Sequence, residues 1–99
     1  MKIDAIGLRE EDNVATALRD IRAGEETLVG ILDSTRQISV REDIPYGHKF
    51  AIREIAKGQA VLKYGEVIGR ATHDIPAGTH AHIQNIESLR GRGDWEGKG

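Results

Sequence analysis

Short runs in which apolar and polar residues alternate predict most of the secondary structure of this chain. Leu28–Leu32 and Gln37–Val40 read as strands on either side of Asp33-Ser34-Thr35-Arg36, a hairpin loop. Ala60–Tyr64, Val67–Thr72 and Thr79–Ile86 read as further strands, with Gly65 and Gly69 as punctuation between them. One segment points two ways. Val14, Ala17, Leu18 and Ile21 fall at i, i+3, i+4 and i+7, the spacing of one helix face starting at Asp12 or Asn13.

An internal repeat bears on that ambiguity. Ala17-Leu18-Arg19-Asp20-Ile21-Arg22-Ala23-Gly24 is echoed by Ala51-Ile52-Arg53-Glu54-Ile55-Ala56-Lys57-Gly58 and by Ala71-Thr72-His73-Asp74-Ile75-Pro76-Ala77-Gly78. Asp43-Ile44-Pro45-Tyr46-Gly47 is a shorter copy. Each holds an acid, an isoleucine, two variable residues and a glycine. The physical sense is a chain reversal in which Ile enters the core and Gly supplies a positive φ. The second copy alternates as a strand does, and the third has Pro76 directly after its isoleucine, where a helix would be interrupted. Shared sequence implies shared shape, so strand–turn–strand is the reading for all copies, with at most one short helix at Val14–Ile21. The copies are irregularly spaced, which excludes a solenoid and predicts one compact all-β (mainly β) domain.

Composition narrows the class. At 99 residues the chain makes one domain, and with 38% hydrophobic but only 4% aromatic residues its core must be aliphatic and thin. Such a domain buries only about 60–65% of the surface of its unfolded chain, so assembly with another chain is a natural supplement. Without cysteine there is neither a disulfide framework nor a thiolate metal site. A net charge of −2 with both signs interspersed excludes the basic stripe of a nucleic-acid binder. No apolar run has the length of a signal peptide or a membrane span, so a cytoplasmic protein with no membrane partner is expected. After Glu87 the alternation stops. The segment Arg90–Gly99, glycine-rich and charged with Trp95 as its one large apolar residue, reads as a flexible tail behind a domain of residues 1–89.

The chemistry available is sparse. There is no nucleophile signature, no carboxylate cluster beside a histidine and no phosphate-binding glycine loop, so the chain can contribute groups to a site but not constitute one. His80 and His82 are two apart, which on a strand places them on one face about 6.5–7 Å apart. Counted from the corner glycines, they take the places of Ala60 and Leu62 in the second copy. Histidine where a sister strand is apolar suggests a functional exchange, set against the plainer reading of surface residues on an edge strand. His48 and Lys49 follow the Gly47 corner, where an imidazole and a cation could hold a substrate carboxylate. Tyr64 beside Gly65 either caps a pocket or packs; Asn85 either binds substrate or ties a turn. His73, in the slot of Arg19 and Arg53, reads as surface.

Ile44-Pro45-Tyr46-Gly47-His48-Lys49-Phe50-Ala51 and Lys63-Tyr64-Gly65-Glu66-Val67-Ile68-Gly69 resemble the SAF domain of the altronate/galactarate dehydratase family, which has the β-clip fold. Asp12-Asn13-Val14-Ala15 and the stretch from the third corner through His80-Ala81-His82-Ile83-Gln84-Asn85 fit the same pattern. Where the altronate branch usually reads His-x-His-x-His-Asn, this chain has Gln84 in place of the third histidine. The resemblance implies a SAF-like β-clip domain serving as the separate small subunit of a sugar-acid dehydratase, beside a large catalytic subunit. It also implies a divalent metal, iron or similar, held mainly by that large subunit. His48 and His82 would then be catalytic, Lys49, Tyr64 and Asn85 substrate-binding, and His80 with His82 a weak metal pair. A (2R)-sulfolactate sulfo-lyase-type small subunit and a non-catalytic carboxylate- or carbohydrate-binding module are the alternatives, with self-association a further expectation for the isolated chain. A flagellar or pilus assembly factor, a third role of SAF-like domains, is disfavoured by the absent export signal.

Overall fold

The four corners do reverse the chain, and they meet in two reciprocal pairs. In the computed structural model, which describes residues 2–88, Ile21 and Ile44 exchange two backbone hydrogen bonds of 2.8 Å, and Ile55 and Ile75 exchange two of 2.9 and 2.7 Å. Gly24 and Gly47 donate their N–H groups to the carbonyls of Val40 and Ala17, while Gly58 and Gly78 donate to those of Ala71 and Ala51. Each acceptor lies four residues ahead of a corner isoleucine, so every corner is closed by the segment entering its mate. Three of the four corner acids work the same way. Asp20 accepts from the Tyr46 N–H, Asp43 from that of Ala23 and Asp74 from that of Lys57, at 2.8–2.9 Å. All four isoleucines are at most 1% exposed, and the four glycines have φ from 84° to 92°, as the repeat predicts.

Between the corners run β1 (Ala5–Gly7), β2 (Val14–Ala17), β3 (Glu26–Ile31), β4 (Ser34–Ser39), β5 (Lys49–Ala51), β6 (Ala60–Lys63), β7 (Glu66–Ala71), β8 (His80–Ala81) and β9 (Ile86–Ser88). One sheet has the order β4-β3-β1-β2-β5-β8 and the other β6-β7-β9; β1 lies parallel to β3, and the remaining pairings are antiparallel. Among the described residues there is no helix, and so none long and apolar enough to cross a membrane. Val14–Ala17 is strand, and Leu18, which a helix face would bury, is 43% exposed. This all-β architecture is the expected fold class. The expected tail at Arg90–Gly99, with Trp95, lies outside the described residues, as does the boundary at residue 89.

Two strand boundaries depart from the sequence reading. The first hairpin turns on Leu32 and Asp33 alone, because Ser34, Thr35 and Arg36 already pair with Ile31, Gly30 and Val29. A two-residue turn matches the twist of its strands only with left-handed backbone, and Leu32 adopts it at φ 54° without being glycine. The expected strand Thr79–Ile86 is broken after Ala81, where residues 82–85 turn the chain into β9.

The core is aliphatic and divided. Ile21, Ile44, Val29, Ile31 and Phe50 belong to one cluster, and Ile55, Ile75, Val61, Val14 and Ile86 to another. Two buried polar residues knit the parts together. Asn13 donates through Nδ2 to the Ala60 carbonyl (2.9 Å) and accepts at Oδ1 from the Leu62 N–H (2.7 Å), taking the place of a strand partner along β6. Asp12 accepts from the N–H groups of Leu8, Arg9 and Gly65 at 2.7–3.1 Å. Burial favours its neutral form, but these backbone donors prevail and hold its carboxyl below the usual carboxylate range.

The corners differ in how tightly they are packed. A Cβ on Gly58 (φ 89°) would meet nothing within 4 Å, whereas one on Gly78 (φ 90°) would run into the Ser39 carbonyl oxygen and the stem of Arg41. Gly58→Ala should therefore cost about 1–2 kcal/mol, the left-handed strain alone. Gly78→Ala should cost about 3 kcal/mol or more, because backbone must also shift. Denaturant melts of the two variants compare them directly; equal losses would refute the difference in packing.

Candidate functional site

Two corners deliver three of the chain's four histidines to one place. The Gly47 corner leads into β5 and the Gly78 corner into β8, and these strands are neighbours, with Lys49 opposite Ala81 and Phe50 opposite His80. Phe50 is fully buried and anchors β5 in the core. The His48 carbonyl accepts from the Ala17 N–H at 2.8 Å, and its own N–H donates to Pro45 at 3.0 Å, so the residue is fixed on both sides. His80 and His82 are held by Asn85, which is buried. Its Oδ1 accepts from the His82 N–H and its Nδ2 donates to the His80 carbonyl, both at 2.9 Å. The His82 carbonyl takes the N–H groups of Asn85 and Ile86 and completes the turn.

The result is a triangle of half-buried imidazoles with ring centroids 5.1–5.4 Å apart. His48 Nδ1 and His80 Nε2 are 3.0 Å apart, so one of these nitrogens carries the proton and the other accepts it. Burial, and then the charges of His48 and His82, push the His80 pKa below the usual histidine value, with Lys49 assisting and Glu42 opposing. Burial, then Lys49 and His48, lower that of His82. Both rings are thus neutral near pH 7, the form that binds a metal or accepts a proton.

The donor set fits a divalent first-row metal. One ring nitrogen from each histidine lies within 4.8 Å of the other two. The 3.0 Å pair already has the spacing of two ligands about 2.1 Å from a shared ion. The sequence reading grouped His80 with His82 and placed His48 nearby; the structure makes His48 a full third vertex, from a corner 32 residues upstream. Gln84 stands just outside, with Nε2 at 3.3 Å from the His80 carbonyl oxygen and 3.4 Å from His80 Nδ1.

The other candidates are placed around this group. Half-buried Lys49 lies in a cleft of about 180 Å³ together with His82, Ile68, Ile83, Ile86 and Ser88. Burial first, and the charge of Lys63 second, lower its ammonium pKa. Tyr64, at φ 55°, donates from its hydroxyl to Thr16 Oγ1 at 3.1 Å, and Thr16 stands opposite Lys49 in the β2–β5 ladder. Tyr64 thus reaches the strand beside the site and not the imidazoles themselves. Asn85 has both side-chain polar groups engaged within the turn, so what it does here is position the histidine backbone. His73 is exposed and away from the group, bonded to Thr72. The apolar wall of the cleft was not foreseen. Ile83, 83% exposed, falls within the strand expected at Thr79–Ile86; its place between His82 and Gln84 in a polar stretch is the signal that the sequence offers.

Known proteins resemble this chain over most of its length. The altronate/galactarate dehydratase SAF domain family matches residues 3–89. Altronate dehydratase of Escherichia coli is 47% identical over 77 residues, which cover 78% of this chain but 15% of that protein. Galactarate dehydratase (L-threo-forming) of the same organism is 36% identical over 76 residues, 75% of this chain and 13% of that protein. The (2R)-sulfolactate sulfo-lyase subunit alpha of Chromohalobacter salexigens is 34% identical over 93 residues, 91% of this chain and 99% of that subunit. The chain therefore spans about one sixth or less of the dehydratases it matches and nearly the whole of a lyase subunit.

Proposed function

Since the chain belongs to the altronate/galactarate dehydratase SAF domain family, we propose that it is the small subunit of a sugar-acid dehydratase, eliminating water from a hydroxy acid together with a separate large catalytic subunit. The observation that carries this is the triangle of His48, His80 and His82, which no carboxylate joins among the described residues. Elimination β to a carboxylate needs a base for the α proton, a cation for the enolate-like charge and an acid for the departing hydroxyl. A divalent metal of the iron type, shared with the large subunit, would supply Lewis acidity toward that charge. The residues of this chain would orient it: His48, His80 and His82 would each present one ring nitrogen, the proton that His48 and His80 share in the empty triangle leaving as the ion enters. Asn85 keeps the two β8 histidines in register by holding their backbone.

A second reading has its own support. The match across 99% of a sulfo-lyase alpha subunit favours a two-subunit lyase whose leaving group is sulfite in place of water. One experiment separates the readings. The tagged chain is purified from its own cells, the co-eluting protein identified, and the complex assayed with altronate, galactarate and sulfolactate. Dehydration of a sugar acid by the complex, and by neither chain alone, is the expected result. Activity on sulfolactate alone would replace the dehydratase reading with the second one, and binding of sugar acids with no turnover in any mixture would make the chain a binding module.

A further inference from the structure

The cleft beside the histidines has a composition that points to part of its ligand. It is lined by the apolar side chains of Ile68, Ile83 and Ile86 and by Lys49, His82 and Ser88. Lys49 is half-buried, and among the described residues no carboxylate forms an ion pair with it. Lys63 adds a second positive charge to its surroundings. An ammonium partly withdrawn from water against apolar side chains, repelled by a neighbour and given no counter-ion, is unfavourable unless an anion joins it. His82 lines the cleft and is also a vertex of the triangle, so a group held by Lys49 lies directly beside the imidazoles.

We propose that this cleft is an anion subsite, in which Lys49 holds the terminal carboxylate or sulfonate of the substrate so that the adjoining hydroxyl-bearing carbon faces His82. The proposal rests on the lyase reading above and deepens it by naming which end of the substrate this chain takes. The isoleucine walls set the limit on what enters. They offer a polyol hydroxyl no hydrogen-bond partner, which leaves His82 and Ser88 as the neutral polar side chains of the lining, too few for a row of hydroxyls whose unmet members would be penalised. The anionic head therefore enters the cleft, and the hydroxylated remainder stays outside, toward the histidines and the large subunit. About 180 Å³ suits such a head group with one or two carbons.

The test uses the 99-residue chain without partner, metal or turnover. Isotope-labelled protein is titrated with propionate, with ethanesulfonate and with neutral propionamide, while the Lys49 side chain and the methyls of Ile68, Ile83 and Ile86 are followed by NMR. Saturable shifts at these positions with the anions and none with propionamide are expected. The stronger of the two anions tells a carboxylate head from a sulfonate one. Lys49→Met should weaken anion binding by at least about 10-fold, while Lys49→Arg, which keeps the charge, should stay within about 3-fold of wild type. Backbone spectra of both variants confirm the fold. Binding unchanged in Lys49→Met, shifts confined to the histidines, or an equal response to propionamide would overturn the subsite. Calorimetry with zinc on the same samples separates this from the wider reading. Zinc bound by wild type and Lys49→Met alike, without anion binding, removes the subsite alone; anion binding without zinc uptake removes the metal role of the triangle and leaves the subsite standing.

Discussion

Ile55→Asp should leave the domain unfolded under conditions in which the wild type is fully folded. Ile55 is 0% exposed, and its backbone is bonded in both directions to Ile75 at the centre of the second cluster. A carboxylate there finds no N–H donor to spare at its own corner, since those of Ile55, Ala56, Lys57 and Gly58 are committed to Ile75, Gln59, Asp74 and Ala71. A buried unpaired charge costs several kcal/mol, which is comparable to the whole stability of a domain of this size. The control is Ile83→Asp, at a position 83% exposed, which should melt within a few degrees of wild type. Circular dichroism melts of both variants decide the matter. A folded Ile55→Asp protein would mean that the paired corners do not hold the domain together.

The second large effect belongs to the imidazoles. On the lyase reading proposed above, His80→Ala combined with His82→Ala should lower turnover of the complex by at least about 10-fold while leaving subunit affinity unchanged, the signature of an interaction made in the transition state. Two of the three vertices are lost, and the remaining His48 cannot hold a divalent ion alone. The metal content of the complex should fall with turnover. The isolated wild-type chain should take up a divalent ion weakly, and the double variant not measurably. Asn85→Ala offers a contrast, because it leaves every imidazole in place but frees the turn that aligns two of them. It should give an intermediate loss. Wild-type turnover and metal content in the double variant would reduce the triangle to surface chemistry and leave the domain a docking or covering role.

The repeat was the most legible part of the chain because its chemistry is local. An isoleucine that must be buried and a glycine that must turn are both written within five residues, and Ile21, Ile44, Ile55 and Ile75 behave as the pattern requires. Which corner meets which was not legible, since the pairing of Ile21 with Ile44 and of Ile55 with Ile75 is a matter of topology. The histidines divide in the same way. His80 and His82 announce each other at a spacing of two, whereas His48 joins them only because β5 and β8 are adjacent. The break in the strand at His82 was hidden because Asn85 supplies through its side chain the bonds a strand would take from a neighbour. Asp12 and Asn13 gave a helix-start signal from their residue types alone. Asp12 does bond locally, to Leu8 and Arg9, but its partner Gly65 and the Asn13 partners Ala60 and Leu62 lie about fifty residues away, beyond the reach of any local rule.

The reciprocal closure of the corners also bears on how the chain reaches its native state. Neither member of a pair can complete its turn until the segment entering the other has arrived, and the members are separated by 20 or more residues. The two pairs are not independent modules either. β2, which enters the first corner, is paired with β5, which enters the third, and Asn13 reaches across to β6. Loop-closure entropy must be met at several places before any contact becomes favourable, a condition that slows folding in proteins dominated by non-local pairing. Refolding of this domain is accordingly expected as a single phase on the millisecond-to-second scale, with both clusters appearing together. A fragment cut between the second and third corners should remain unstructured, because each half carries edges that only the other half can cover.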